Sequence, residues 1–279
     1  MITRKKFAEY CSKNNLRYKF NYDKYPDEML IGRWSKKYLF LALCRCGYLE
    51  TIKWLYNLEK INIHLDNELA FSLCCSNGHL EVAKWLFDIS KKNKKIINIH
   101  IYNEIIFIDS CRNGNLEIAK WLLKISKENG KIIDVQTYKE AFRFSCFKSR
   151  DRNIEIVKWI IKIAKKNGNI INIHANNEEA FILNCKNGNL EVAKWLMEFS
   201  KENGEMINIH ANDDEAFRES YKYRYMKVVK WLCSLCDDYY IEVKNNKIVK
   251  IGIKNIYYKF LNNNFGVEKI IKKLQLKII

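Results

Sequence analysis

The apolar positions of this chain fall into a pattern that keeps returning. Its clearest stretch is Asn187-Gly-Asn-Leu-Glu-Val-Ala-Lys-Trp-Leu196, which recurs as Asn77-Gly-His-Leu-Glu-Val-Ala-Lys-Trp-Leu86 and Asn113-Gly-Asn-Leu-Glu-Ile-Ala-Lys-Trp-Leu122. Six Lys-Trp pairs share the register, with Trp54, Trp85, Trp121, Trp159, Trp195 and Trp231 spaced by 31, 36, 38, 36 and 36 residues. Ahead of them Phe40, Phe71, Phe107, Phe142, Phe181 and Phe217 each stand four residues before Cys44, Cys75, Cys111, Cys146, Cys185 and Tyr221. A third marker, Ile-Asn-Ile-His, occupies 61–64, 171–174 and 207–210; Asn98-Ile-His100 matches it, and Val135-Gln136 departs from it. Three markers in constant order at one period describe a repeat protein, whose units stack because none can bury its apolar face alone.

Each unit reads as two helices. Asn176-Asn-Glu-Glu179 and Asp213-Asp-Glu215 offer an N-cap followed by acids, which suits a helix start. Ala180, Phe181 and Cys185 then share a face, and Asn187-Gly188 closes the helix, glycine taking the left-handed conformation of a C-cap. In the second helix Leu190, Ala193, Leu196 and Met197 form a core stripe. Glu191 with Lys194, Glu81 with Lys84 and Glu117 with Lys120 pair three residues apart on the wetted face. Asn129-Gly130, Asn167-Gly168 and Asn203-Gly204 end the second helices, and the short alternating Ile-Asn-Ile-His leads onward.

Gly78-His-Leu-Glu-Val-Ala-Lys-Trp-Leu86 resembles the second-helix signature of ankyrin repeats, and the likeness covers residues 33–240. The Thr-Pro-Leu-His opening of that family is missing; a Glu-Ala-Phe type of sequence, as at 179–181, stands in its place, and the connections are longer. The Lys-Trp-Leu variant, in a Lys-, Asn- and Ile-rich chain, is similar to the divergent ankyrin proteins of giant DNA viruses of amoebae. The resemblance implies an all-α, ankyrin-type solenoid of stacked helix pairs, a non-catalytic protein–protein interaction function, and a host-cell cytoplasmic setting.

The ends are less regular. Residues 1–32 read as a degenerate N-terminal capping repeat, since Phe7, Cys11 and Leu16 repeat the frame of Phe181, Cys185 and Leu190. Residues 33–240 hold about six repeats. Phe147 to Asn153 form an extra loop in the fourth. In 241–279, the alternation from Tyr240 to Ile251 around Asn245-Asn246 predicts a β-hairpin, and Val267 to Ile279 a short basic helix.

Charge matters by where it lies. The net +17 divides into +6 over residues 1–38, +5 over 237–279 and +6 over everything between. The basic ends, with Arg4-Lys-Lys6, Arg33, Lys36-Lys37 and Lys269 to Lys277, keep a nucleic-acid-associated protein as an alternative. The C-terminal segment keeps a second, an adaptor that recruits targets to ubiquitin machinery, as viral ankyrin proteins often do. No apolar run is long enough for a membrane span, and no apolar stretch follows the basic start as a secretory signal requires.

Candidate chemistry is sparse. The ten cysteines mostly share one core position of the repeat, the behaviour of small buried hydrophobes. Cys233-Ser-Leu-Cys236 has no second Cys or His pair at zinc spacing, so no metal is expected there. His64, His100, His174 and His210 recur at one partly exposed turn position; units about 10 Å apart keep two of them from sharing an ion. Phosphate loops, nucleophile elbows and His-Glu-x-x-His are all missing, so no catalytic residue and no cofactor is expected. The tryptophans read as packing between units rather than as platforms for nucleic-acid bases.

What varies between units is the turn before each first helix. Partner contact is therefore expected on a concave face built from Asp66, Asn67, Tyr102, Asn103, Tyr138, Asn176, Asn177, Asn212 and Asp213, with His64, His100, Gln136, His174 and His210 beside them.

Overall fold

The computed structural model describes residues 36–59, 61–147, 153–244 and 247–253. Twelve helices follow in six consecutive pairs: α1 (Lys36–Cys46) with α2 (Leu49–Glu59), α3 (Leu65–Ser76) with α4 (Leu80–Lys92), α5 (Ile105–Arg112) with α6 (Leu116–Glu128), α7 (Val135–Cys146) with α8 (Asn153–Lys166), α9 (Ala175–Lys186) with α10 (Leu190–Glu202), and α11 (Ala211–Lys222) with α12 (Met226–Cys233). An antiparallel hairpin, β1 (Tyr239–Lys244) and β2 (Lys247–Ile253), closes the described part. The fold is an all-α repeat of stacked helix pairs. Packing divides it into two compact units, residues 1–137 and 138–279. The expected N-terminal capping repeat, the extra loop after Phe147, the hairpin's Asn245-Asn246 turn and the C-terminal basic helix lie outside the described residues.

The periodic markers form the core. Phe40, Phe71, Phe107, Phe142, Phe181 and Phe217 are all at most 5% exposed, and Cys44, Cys75, Cys111, Cys146 and Cys185 are completely buried. Burial away from water penalises the thiolate, which pushes the Cys75, Cys111 and Cys185 thiols well up and Cys146 to about 12. These are inert core thiols. In α4, Val82, Ala83, Leu86 and Phe87 are buried, and the same stripe recurs in α6 and α10.

Tryptophan ties one repeat to the last. Trp121 of α6 packs on Phe71 and Phe87 of the preceding pair at ring-centroid distances of 5.9 and 5.8 Å, and Trp231 of α12 packs on Phe181 at 6.1 Å. Half-buried rings that make edge and tilted contacts bury area and add about 0.5–1.5 kcal/mol per pair beyond it. Polar bonds follow the same lattice. Asn115 donates through Nδ2 to the Cys75 and Ser76 carbonyls, both at 2.9 Å, capping the end of α3 from the next repeat. His79 Nε2 donates likewise to the Arg45 carbonyl at 2.9 Å. At Gly188 the need for glycine is double: φ is +76°, and a Cβ there would overlap the Tyr225 ring of the next repeat.

The wetted face carries the expected pairs, with Glu81–Lys84 at 2.8 Å, Glu117–Lys120 at 2.7 Å and Glu191–Lys194 at 3.9 Å. Exposed pairs of this kind contribute a few tenths of a kcal/mol each.

The first helices start differently from the sequence expectation. Asn176 and Asp213 do not act as N-caps. Instead three consecutive residues in each of four repeats adopt left-handed backbone: Asp66-Asn67-Glu68, Tyr102-Asn103-Glu104, Asn176-Asn177-Glu178 and Asn212-Asp213-Asp214, with φ between 45° and 67°. Left-handed backbone costs an ordinary residue about 1–2 kcal/mol, less for Asn and Asp. Something in the fold must hold these turns.

Candidate functional site

The turn is built from the Ile-Asn-Ile-His marker upward. Its alternation buries the second isoleucine in three repeats, Ile63, Ile99 and Ile173, and the first in the final one, Ile207, all at most 7% exposed. The intervening asparagine stays outside and bends the chain. Asn62, Asn98, Asn172 and Asn208 each accept through Oδ1 from the backbone N–H of the histidine two residues on, at 3.0, 3.0, 2.8 and 3.0 Å. Each histidine then reaches the third residue of the left-handed turn. His64 Nδ1 lies 2.9 Å from Glu68, His100 2.6 Å from Glu104, His174 2.9 Å from Glu178 and His210 2.6 Å from Asp214.

The carboxylate does more than hold its histidine. Glu178 also accepts the Asn208 backbone N–H at 3.1 Å, thirty residues on, and Glu68 accepts the Asn98 N–H at 3.4 Å. A buried acid thus fastens its own turn and the entry to the next repeat. Charge-assisted bonds of this kind are worth about 1.5–3 kcal/mol, enough to offset the backbone cost of the turn. The signal was present in the sequence as His followed four residues later by Glu or Asp. Assigning those acids to helix capping hid it.

The predicted partner residues divide accordingly. Asp66, Asn67, Tyr102, Asn103, Asn176, Asn177, Asn212 and Asp213 are exposed on the first two positions of the left-handed turns. Several are tied to one another: Asn67 donates to the Tyr102 hydroxyl at 2.5 Å, Asn177 to Asn212 Oδ1 at 2.6 Å, and Lys37 to Asp66 at 2.8 Å. His64, His100 and His174 are partly exposed, their side chains 9%, 10% and 18% accessible, and His210 is the most open of the four, at 43%. Gln136 is exposed.

Tyr138 is a correction. Its side chain is fully buried, and its hydroxyl accepts from Asn167 Nδ2 at 2.8 Å, so it is core and not surface. The fourth repeat has no left-handed turn. There Asp134 Oδ1 accepts the Thr137 N–H at 2.7 Å and starts an ordinary helix, whose first turn carries Tyr138 inward.

A row of exposed apolar residues escaped the sequence reading. Ile96, Ile132, Ile170 and Met206 stand eleven residues after Trp85, Trp121, Trp159 and Trp195, and are 56%, 86%, 83% and 69% exposed. Each precedes a buried isoleucine or half-buried neighbour in the connection between repeats. Their constant offset from tryptophan was the available signal. Single exposed apolar residues are ordinary on a protein surface, whereas one at the same register of four successive connections is a pattern.

Geometry and period together lead to the comparison with known families. Residues 39–136 match the family model of ankyrin repeats in three copies. The match spans α1 to α6 and the start of α7; beyond it the ankyrin-like frame continues in the same Phe, Cys and Trp markers. Ankyrin repeats generally mediate protein–protein interaction and are typically non-enzymatic. Among curated proteins no match to the chain was found. Among the described residues, no helix is long and apolar enough to cross a membrane.

Proposed function

We propose that this protein is a non-catalytic scaffold that captures another protein on its turns and connections. The observation that supports the reading is a division of labour within each repeat. In the four repeats with a left-handed turn, the His–carboxylate pair and the buried Phe stay constant, while the two exposed positions they present change from Asp66-Asn67 to Tyr102-Asn103, Asn176-Asn177 and Asn212-Asp213. Turns pinned from beneath lose little further freedom on binding, so their side chains can be used for recognition at low entropic cost. The exposed Ile96, Ile132, Ile170 and Met206 supply the apolar contacts that polar turns lack, and Tyr102 the aromatic kind enriched in binding hot spots. The concave helix and turn face of an ankyrin-type stack is the surface we assign to the partner.

We read the partner as another protein and, from the likeness of the Lys-Trp-Leu variant to giant-virus ankyrin proteins, the setting as the host-cell cytoplasm. The nucleic-acid alternative rests on basic ends that lie mostly outside the described residues, with Lys37 of α1 already paired to Asp66, and the ubiquitin-adaptor alternative rests on the C-terminal segment. Two surface variants of the full chain test the reading by affinity capture. Exchanging Tyr102, Ile132, Ile170 and Met206 for serine should cut retention of the captured protein about tenfold or more, while exchanging Lys84, Lys120 and Lys194 for serine should leave it unchanged. The reverse result places the binding face on the second helices and overturns the assignment.

A further inference from the structure

The last repeat differs from the others at the outer nitrogen of its histidine. In the fifth repeat, Ser200, five residues after Trp195, brings its hydroxyl to 3.3 Å from His174 Nε2. Ser90 and Ser126 occupy the same register after Trp85 and Trp121, and there His64 and His100 Nε2 are buried without a hydrogen-bond partner. In the sixth repeat that register holds Cys236, five residues after Trp231. Helix α12 ends at Cys233, so Cys236 sits on a turn rather than inside a helix, and the histidine it faces is open to water.

Three electron-pair donors converge as a result. Cys236 Sγ lies 3.7 Å from His210 Nε2, Asp238 Oδ2 lies 4.0 Å from the same nitrogen, and all three atoms fall within 4.8 Å of one another. We propose that His210, Cys236 and Asp238 form a metal site that takes a divalent transition-metal ion of borderline softness, zinc(II) above all.

Ligand bonds of about 2.3 Å to sulfur and about 2.0–2.1 Å to nitrogen or oxygen, meeting at a tetrahedral angle, hold their far ends roughly 3.4–3.6 Å apart. The Cys236–His210 distance of 3.7 Å already fits, while Asp238, 4.0 Å from Nε2 and within 4.8 Å of the thiol, has to close in by roughly 0.5–1 Å to complete the site. The second layer is already in place. Asp214 accepts His210 Nδ1–H at 2.6 Å and the Tyr239 hydroxyl at 2.5 Å, which directs the lone pair of Nε2 toward the thiol and the Asp238 carboxylate. The Asp238 backbone N–H points at Cys236 Sγ from 3.2 Å, a donor suited to a thiolate. The fifth repeat also has a carboxylate at this nitrogen, Glu205 at 3.1 Å from His174 Nε2, but a serine hydroxyl beside it; the thiol of Cys236 is what gives the sixth repeat a soft ligand. Binding releases the Cys236 thiol proton to solvent and leaves a fourth coordination position for water. Cys233, pushed up to about 11 by burial and by the nearby Cys236 charge, stays outside the ligand set. The mixed ligand set of sulfur, imidazole and carboxylate selects zinc or cobalt over calcium or magnesium.

The ion would join the turn after the last helix to the last repeat, immediately before β1. Tyr239, the first residue of β1, already stacks on Phe217 with ring centroids 4.4 Å apart.

The test is titration of the full-length, reduced protein with cobalt(II) and then zinc(II), read by absorbance. Wild type should bind one equivalent with a thiolate-to-cobalt charge-transfer band that zinc abolishes, and zinc should raise its melting temperature. Cys236→Ser, which restores the residue found in other repeats, should fold, lose the band and lose the zinc-dependent rise. Asp238→Asn should weaken zinc by about tenfold or more, and Cys233→Ser should keep the band. Absence of one-equivalent binding in wild type, a band that persists in Cys236→Ser, unchanged affinity in Asp238→Asn, or loss in Cys233→Ser would each overturn the proposal.

Discussion

The fourth repeat and the fifth begin in opposite ways. In the fifth, His174 and Glu178 hold three left-handed residues, and the same carboxylate reaches the Asn208 amide of the sixth. In the fourth, Asp134 caps a right-handed helix directly, Tyr138 turns into the core, and the tie to the fifth repeat passes through side chains, the Arg143 guanidinium gripping Glu179 at 2.8–3.0 Å. Both solutions feed the same buried Phe and Cys positions. The helix pair therefore does not require the left-handed turn. What the turn adds is a pair of outward residues on a pinned backbone, in four of the repeats, and, through Glu68 and Glu178, a direct link from buried acid to the next repeat's main chain.

Removing the acid should break the comparison most. Glu178→Ala leaves His174 Nδ1 and the Asn208 N–H without their shared acceptor, both bonds part-buried, and should cost about 2 kcal/mol, seen as a lower urea midpoint at unchanged slope. An unchanged midpoint would mean that the left-handed turn stands without its carboxylate.

The corresponding change in the fourth repeat should be smaller. Asp134→Ala removes an exposed cap worth about 0.5–1 kcal/mol. The Thr137 amide and then its hydroxyl hold the Asp134 carboxyl below the usual carboxylate range. A lowered folded-state pKa gives stability that is present above the unfolded pKa and fades as pH falls through the folded one. The difference between Asp134→Ala and wild type should therefore be full at neutral pH and shrink in acid. A difference that grew on acidification would contradict the cap.

The smallest effect concerns the turn's odd member. Among the described residues Tyr102 is the one aromatic in left-handed backbone, and its hydroxyl takes the Asn67 amide as Asn212 Oδ1 takes Asn177. Tyr102→Asn copies the later repeats and should stabilise by about 0.5 kcal/mol in thermal melts. A clear loss of stability would show that the Tyr102 ring supports the fold instead of being free for a partner.

Much of the architecture could be read in the sequence because it is set by local periodicity. Phe181 and Cys185 share a helical face whatever surrounds them, and Trp195 returns at the interval of the stack. The alternation around Asn245-Asn246 required a hairpin for the same reason. The recognition residues were half legible. Asp66, Asn67, Asn176 and Asn177 stand out because they vary against a constant frame, yet Tyr138 varied too and is buried. What tells the two cases apart is the histidine four residues before the acid, present as His64 and His174 and replaced by Gln136 ahead of Tyr138. Ile96 and Ile97 likewise read as one apolar pair until the fold buries the second and exposes the first.

By itself, then, the sequence determined the helix pairs, their period, their core and the ankyrin-like frame, because each follows from side chains three or four residues apart. Only the tertiary structure decided which way the turns wind, which of the varied residues face water, and that Cys236 and Asp238 meet a histidine 26 and 28 residues behind them. Those outcomes depend on groups that the stacking of one repeat on another brings within bonding distance.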